Sequence, residues 1–163
     1  ALGSKIISGM INRDWVEDAF IAGLLHDAGK IIMDPYVEER NEAFEAHLQE
    51  TACKFFKAEK QILGFDHAEV MSRASRFWRY PEAQSMAIRY HHYPKHSGNN
   101  RLAYIVHLAD FAAKEAGFKS QESALSSEID PHILEYLGFE NAQLNPIIAE
   151  ISTSVEKLAT EFQ

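Results

Sequence analysis

Apolar residues recur at three- and four-residue spacings along most of the chain, the period of helices rather than strands. Leu2, Ile6, Ile7, Met10 and Ile11 form one stripe and predict a helix over 2–12, broken at Asn12-Arg13-Asp14. Asp14 and Glu17 stand at the spacing of a capping box, so a second helix is expected from Trp15 to about Ala28, with Phe20, Ile21, Leu24 and Leu25 as its core face. Gly29 suits a left-handed position just past that helix end. Pro35 suits the first turn of a further helix, and residues 36–63 read as helical with a solvated acidic face, ended by Gly64. Asp66-His67-Ala68-Glu69 repeats the capping spacing and opens a helix that runs through Val70, Met71, Ala74, Phe77 and Trp78. Tyr80-Pro81 interrupts it, and the next helix ends in His91-His92-Tyr93-Pro94. Arg101 to Ala116 is an apolar helix, 117–130 a polar loop, and Pro131 opens a short helix ending at Gly138. Asn145-Pro146 starts the last helix, whose stripe is Ile147, Ile148, Ile151, Val155, Leu158 and Phe162. With no internal repeat, the prediction is one all-α domain over 1–163, a compact multi-helix bundle.

Composition narrows the function classes. Hydrophobic residues make up 46% of 163 positions, enough for a core. Sixteen Lys+Arg against 24 Asp+Glu leave a net charge of −8. That argues against a general grip on nucleic-acid phosphates, which needs a basic face. It leaves room for a small phosphorylated ligand, because a bound cation inverts the local sign. The single cysteine, Cys53, rules out an internal disulfide and fits a reducing cytoplasm. No apolar run has the length of a membrane span, and no signal-peptide pattern opens the chain. The chain begins Ala1-Leu2-Gly3-Ser4, inside a helical pattern, and reads as the C-terminal portion of a longer protein.

The candidate chemistry lies in histidines and aspartates at helix ends. His26-Asp27 follows an apolar run and precedes Gly29-Lys30. Neutral imidazole and carboxylate are both ligands for Zn, Fe, Mn or Ni. Alone, a His-Asp doublet is common by chance. His67 in the first turn of its helix, His91-His92 at the end of the next, and Asp110 on an apolar helix raise its standing. The N-terminal helix position of His67 disfavours its protonation. A bare carboxylate on a helix as apolar as 101–116 is costly, so Asp110 is expected to bridge back to His26 and Asp27 through a cation. Lys30 and Lys95 are candidates for phosphate contact, Lys95 with a solvent-exposed alternative. His47 and His107 are read as surface or core histidines.

The segments EDAFIAGLLHDAGK, GFDHAEV, WRYPEAQSMAIRYHHYP and LAYIVHLADFAAKEAG, spanning residues 17 to 117, resemble the HD superfamily of metal-dependent phosphohydrolases, and their wording is similar to the HDOD branch of bacterial signalling proteins. The resemblance implies an all-helical fold and a divalent ion (Fe, Mn, Zn, Ni or Mg) at His26, Asp27, His67, His91, His92 and Asp110. It implies Asp27 and Lys30 as catalytic groups, with Lys30 and Lys95 on the substrate. It also implies a further ligand from an upstream helix, near or before Ala1. The activity would be phosphomonoester or phosphodiester hydrolysis. Two alternatives stay open: a non-catalytic signalling module that binds a protein partner over a vestigial site, and a nucleotide phosphohydrolase of another HD branch. The loop after His91-His92 reads Lys95-His96-Ser97-Gly98-Asn99 where HD-GYP relatives carry Gly-Tyr-Pro, which departs from cyclic-dinucleotide hydrolysis.

Overall fold

A computed structural model describes residues 1–118 and 129–161. Within them lie ten α-helices and no strand: α1 Leu2–Ile11, α2 Val16–Leu25, α3 Gly29–Glu38, α4 Asn41–Thr51, α5 Phe55–Leu63, α6 His67–Phe77, α7 Glu82–Tyr90, α8 Arg101–Glu115, α9 Pro131–Leu137 and α10 Leu144–Glu161. Short 3₁₀ turns fill Arg13–Trp15, Pro94–His96 and Asn141–Gln143. No helix among the described residues is long and apolar enough to cross a membrane.

The central element is α8, as its apolar sequence requires. Leu102 through Val106, Leu108, Ala109 and Ala112 are all buried. Packed around it are α1, α2, α7, α9 and α10. Asn100 caps α8 by accepting hydrogen bonds from the Leu102 and Ala103 amides. Outside this core, α6 packs between α7 and α3, and α4 pairs with α5.

The Asp66–Glu69 capping box forms in full: Asp66 accepts from the Glu69 amide at 2.7 Å and Glu69 accepts from the Asp66 amide at 3.1 Å. Other local expectations are corrected. Asn12, not Asp14, caps the turn before α2, accepting from the Asp14 amide at 2.9 Å. Pro35 lies inside α3, not in a first turn. The 36–63 stretch is three helices, because the chain breaks at Arg40 and again at Ala52, which takes a left-handed φ of 48°. The last helix begins at Leu144, one residue before Asn145.

The buried faces of α1 and α2 also differ from their apolar stripes. Ala19, Ala22 and Gly23 are the buried residues of α2, while Leu24 is 58% exposed. Opposite them, α1 buries Gly3, Ser4, Ile7 and Ser8 and exposes Met10. The two helices approach so closely that a Cβ on Gly23 would overlap the Ser4 side chain. Small residues win this interface because only they admit the short separation. In the last stripe Ile147 and Ile151 are buried and Leu158 is 45% exposed. Phe162 and residues 119–128 of the predicted loop lie outside the described residues.

Candidate metal centre

Four helix termini and the middle of α8 deliver the candidate residues to one place. Helix α2 stops at Leu25, and His26 and Asp27 lie in the turn that joins it to α3. His67 is the first residue of α6. His91 follows the last residue of α7, and His92 is next. Asp110 projects from α8.

Asp27 is the shared point. Its Oδ1 is 3.1 Å from His67 Nε2, 3.7 Å from His91 Nε2 and 3.7 Å from His26 Nε2. His67 and His92 face each other through their Nε2 atoms at 2.9 Å. Ligand atoms of Asp27, His67, His91 and His92 all lie within 4.8 Å of one another. Two nitrogens on one Zn-sized ion stand at most about 4.2 Å apart, so small side-chain rotations would bring the four donors onto one cation. On the other side of Asp27, His26 Nε2 is 3.9 Å from Asp110 Oδ1.

Three of the four imidazoles are aimed by their other nitrogen. His26 Nδ1–H donates to the Gly23 carbonyl at 2.9 Å and His91 Nδ1–H to the Ile88 carbonyl at 2.8 Å. His67 Nδ1–H donates to Glu59 Oε2 at 2.6 Å. At His26 and His91 these bonds fix the tautomer and leave the Nε2 lone pair directed inward, as metal-binding histidines require, whereas at His67 a cation would have to displace the Nε2 proton held against Asp27. His26 Nε2 and His91 Nε2 are buried with no hydrogen-bond partner among the described residues. A buried acceptor without a donor is costly, and a cation satisfies both. The residues present therefore fit a divalent metal, with no ion's identity fixed by the geometry.

Electrostatics agree with a cation-seeking site. Burial opposes ionisation of Asp27, but the His67 hydrogen bond and the neighbouring His26 and Lys30 hold its carboxyl well below the usual range. Burial likewise opposes Asp110, and His26 with Lys114 overcomes it in the same direction. His91 is pushed down to about 3 by burial and by His26. His92 is lowered by burial, then by His91 and His67. Burial also works against charge on His67, yet the hydrogen bonds to Asp27 and Glu59 raise it to about 9. This corrects the helix-terminus expectation for His67: two adjacent carboxylates outweigh a partial helix charge.

These shifts set a pH optimum for the metal-free protein. His67 has a folded pKa above its unfolded value, so its stabilisation is complete below about pH 6.5 and is lost as pH rises through about 9. His91 and His92 are held neutral, so their contribution is present above about pH 6.5 and fades on acidification. Thermal midpoints in EDTA should therefore peak near neutrality and fall on both sides. A midpoint still rising between pH 7 and 9 would contradict the His67 environment.

Glu59 is a site residue that sequence reasoning missed. It is buried on α5, and its Oε2 also accepts from the His67 amide at 3.0 Å. The available signal was its register: Phe56, Glu59 and Leu63 share one face of an amphipathic helix, so Glu59 stands where an apolar residue belongs. Glu59→Gln is expected to weaken metal binding about 10–100-fold, the usual cost of losing a partner that orients a ligand. A metal titration by calorimetry measures it, and unchanged affinity would remove Glu59 from the site. His107 was also set aside, yet its Nδ1–H donates to the His91 carbonyl at 2.7 Å and so steadies the His91-His92 segment from α8. His47, by contrast, is half-buried on α4 and outside the cluster.

The two lysines named from sequence differ in placement. Lys30 Nζ is 2.9 Å from Asp27 Oδ2, beside the cluster. Lys95 lies in the 94–96 turn and pairs with Asp130 at 2.5 Å. Both line a cavity of about 350 Å³ that also touches His67, His92 and Asp110.

An all-helical bundle whose helix ends gather histidines around a His-Asp doublet defines a class of domain. The HDOD domain family model matches residues 1–94, more than half of the chain, and the chain belongs to that family, a branch of the HD superfamily. Among solved structures it shares its fold with the crystal structure of a "putative phosphohydrolase" from Shewanella amazonensis SB2B, at 18% sequence identity and a TM-score of 0.62. The match covers 93% of this chain and 58% of that one, so the chain spans little more than half the length of that protein. Comparison with curated proteins gave no match.

Proposed function

We propose that this domain is an HDOD-type signalling module with a working divalent-metal site that binds, and hydrolyses, phosphate esters. The observation that carries the reading is the pair of buried, partnerless Nε2 atoms of His26 and His91 aimed at Asp27. Asp27, His67, His91 and His92 would hold one cation, and His26 with Asp110 extends the set on the far side of Asp27. The imidazole-rich donor set suits Zn, Fe, Mn or Ni better than Mg. A cation bound there would supply acidification of a water and polarisation of a phosphoryl oxygen. Lys30 stands beside Asp27 to neutralise charge developing on a phosphate. Asp27, held ionised, would accept a proton from attacking water. The Shewanella protein's description as a phosphohydrolase is consistent with this reading.

The test is metal content per chain by plasma mass spectrometry on protein purified without chelators, followed by assays on p-nitrophenyl phosphate and bis-p-nitrophenyl phosphate. Near-stoichiometric metal and metal-dependent turnover are expected, both lost in His26→Ala/Asp27→Ala. Metal-free protein that also fails to take up added Zn, Fe, Mn or Ni would overturn the metal reading. A second reading, a non-catalytic module for a protein partner, is favoured by Phe77 and Trp78, adjacent aromatics 84% and 55% exposed at the end of α6. Bound metal without turnover would select it.

A further inference from the structure

The cavity beside the cluster carries chemistry of its own. Its volume of about 350 Å³ lies at the lower end of the range for small-ligand sites. His67 and His92 line it, and so do Lys54 and Lys114, in a chain whose net charge is −8. Lys114 pairs with Asp110 at 2.5 Å. Among the described residues, the Lys54 ammonium has neither a hydrogen bond nor an ion pair. Burial, and then Lys114 and Lys57, lower its pKa, as expected of a cation short of an anion. A metal drawing on Asp110 would leave Lys114 in the same position.

The lining also includes four aromatic rings, Phe55, Phe56, Tyr93 and Phe111, beside Asp110 and Asp130, which are paired with Lys114 and Lys95. Phe56 stacks on His92 with ring centroids 4.0 Å apart and meets Tyr93 edge-on at 5.5 Å. Tyr93 is 46% exposed, and Phe55 and Phe111 complete the wall. A cation without an anion, Lys54, next to flat apolar surface selects a ligand that is anionic at one end and aromatic at the other. The volume admits one ring and its phosphate, not two nucleotides.

We propose that this cavity binds small phosphate monoesters of single-ring aromatic alcohols, the phosphate against Lys54 and Lys114 and the ring against Phe55, Phe56 and Tyr93. The inference deepens the proposed function by naming its ligand class, and it rests on that reading only for the nearness of phosphate to metal. The lysines and rings act without metal, so the two ideas separate in experiment.

Titration calorimetry with phenyl phosphate, n-butyl phosphate and inorganic phosphate, in EDTA and again after metal is restored, tests it. In EDTA, phenyl phosphate should bind at least tenfold tighter than inorganic phosphate and tighter than butyl phosphate. Lys54→Gln should weaken phenyl phosphate about tenfold while leaving the thermal midpoint and metal content unchanged. Tyr93→Leu should remove the preference of phenyl over butyl. Equal affinity for phenyl and inorganic phosphate, or an indifferent Lys54→Gln, would overturn the proposal even if metal binds. Phenyl phosphate bound in EDTA by a protein that takes up no metal would sustain it and sink the metal reading instead.

Discussion

Asp27→Asn is expected to abolish stoichiometric metal binding, with a loss well beyond about 100-fold. Asp27 lies within 4 Å of three Nε2 atoms, those of His26, His67 and His91. It is also the group through which the two halves of the cluster meet. Asparagine keeps the shape and removes the charge. Its amide would place an N–H donor among nitrogens that already need a cation or a proton. Loss of a mere orienting partner costs about 10–100-fold in metal affinity, and Asp27 supplies both ligand and charge. Calorimetric titration and metal analysis of the purified variant measure the effect. The fold should survive, because Asp27 lies in a turn and its side chain is 37% exposed. A variant that still retains metal would show that Asp27 is not the shared ligand.

Gly29→Ala is expected to lower stability by about 1–3 kcal/mol, the range for overpacking. For a chain of this size that is a fall in thermal midpoint of roughly 2–12 °C. Helix propensity alone predicts the opposite sign, since alanine is better than glycine inside a helix by about 1 kcal/mol. Gly29 opens α3 with an ordinary helical backbone and is not among the residues of positive φ. The left-handed role expected for it is therefore corrected. What requires glycine is contact: a Cβ there would overlap the carbonyl oxygen of His67. That neighbour is backbone and cannot swing aside as a side chain could. Relief would have to come from separating α3 and α6, which would shift His67 from Asp27. The variant should thus lose both midpoint and metal affinity, read by thermal denaturation with and without metal. A raised midpoint would mean that the α3–α6 approach is looser than described.

The local signals of this chain were readable where a single short-range interaction decides the outcome. The Asp66–Glu69 box, the Pro131 start and the Gly64 and Gly138 stops appear where their chemistry places them, the two glycines at φ of 85° and 79°. Ala52 gave no such warning, because alanine has no preference for the left-handed conformation it adopts there. The α1–α2 interface misled for a related reason. Apolar stripes mark a buried face only where helices stand a normal distance apart, and here Ser4 and Gly23 nearly touch.

By itself the sequence determined that the chain is helical, where most helices begin and end, and which residue types stand at their termini. Caps, prolines and the 3.6-residue period act within a turn or two, so they are written locally. Only the tertiary structure decided which donors converge. It set the four histidines already named, His26, His67, His91 and His92, around Asp27, and placed Glu59 behind His67 and Lys54 beside the cavity. Those relations depend on how α5, α6, α7 and α8 pack, and on the direction in which His26, His67 and His91 are turned by the carbonyl or carboxylate that holds each Nδ1–H.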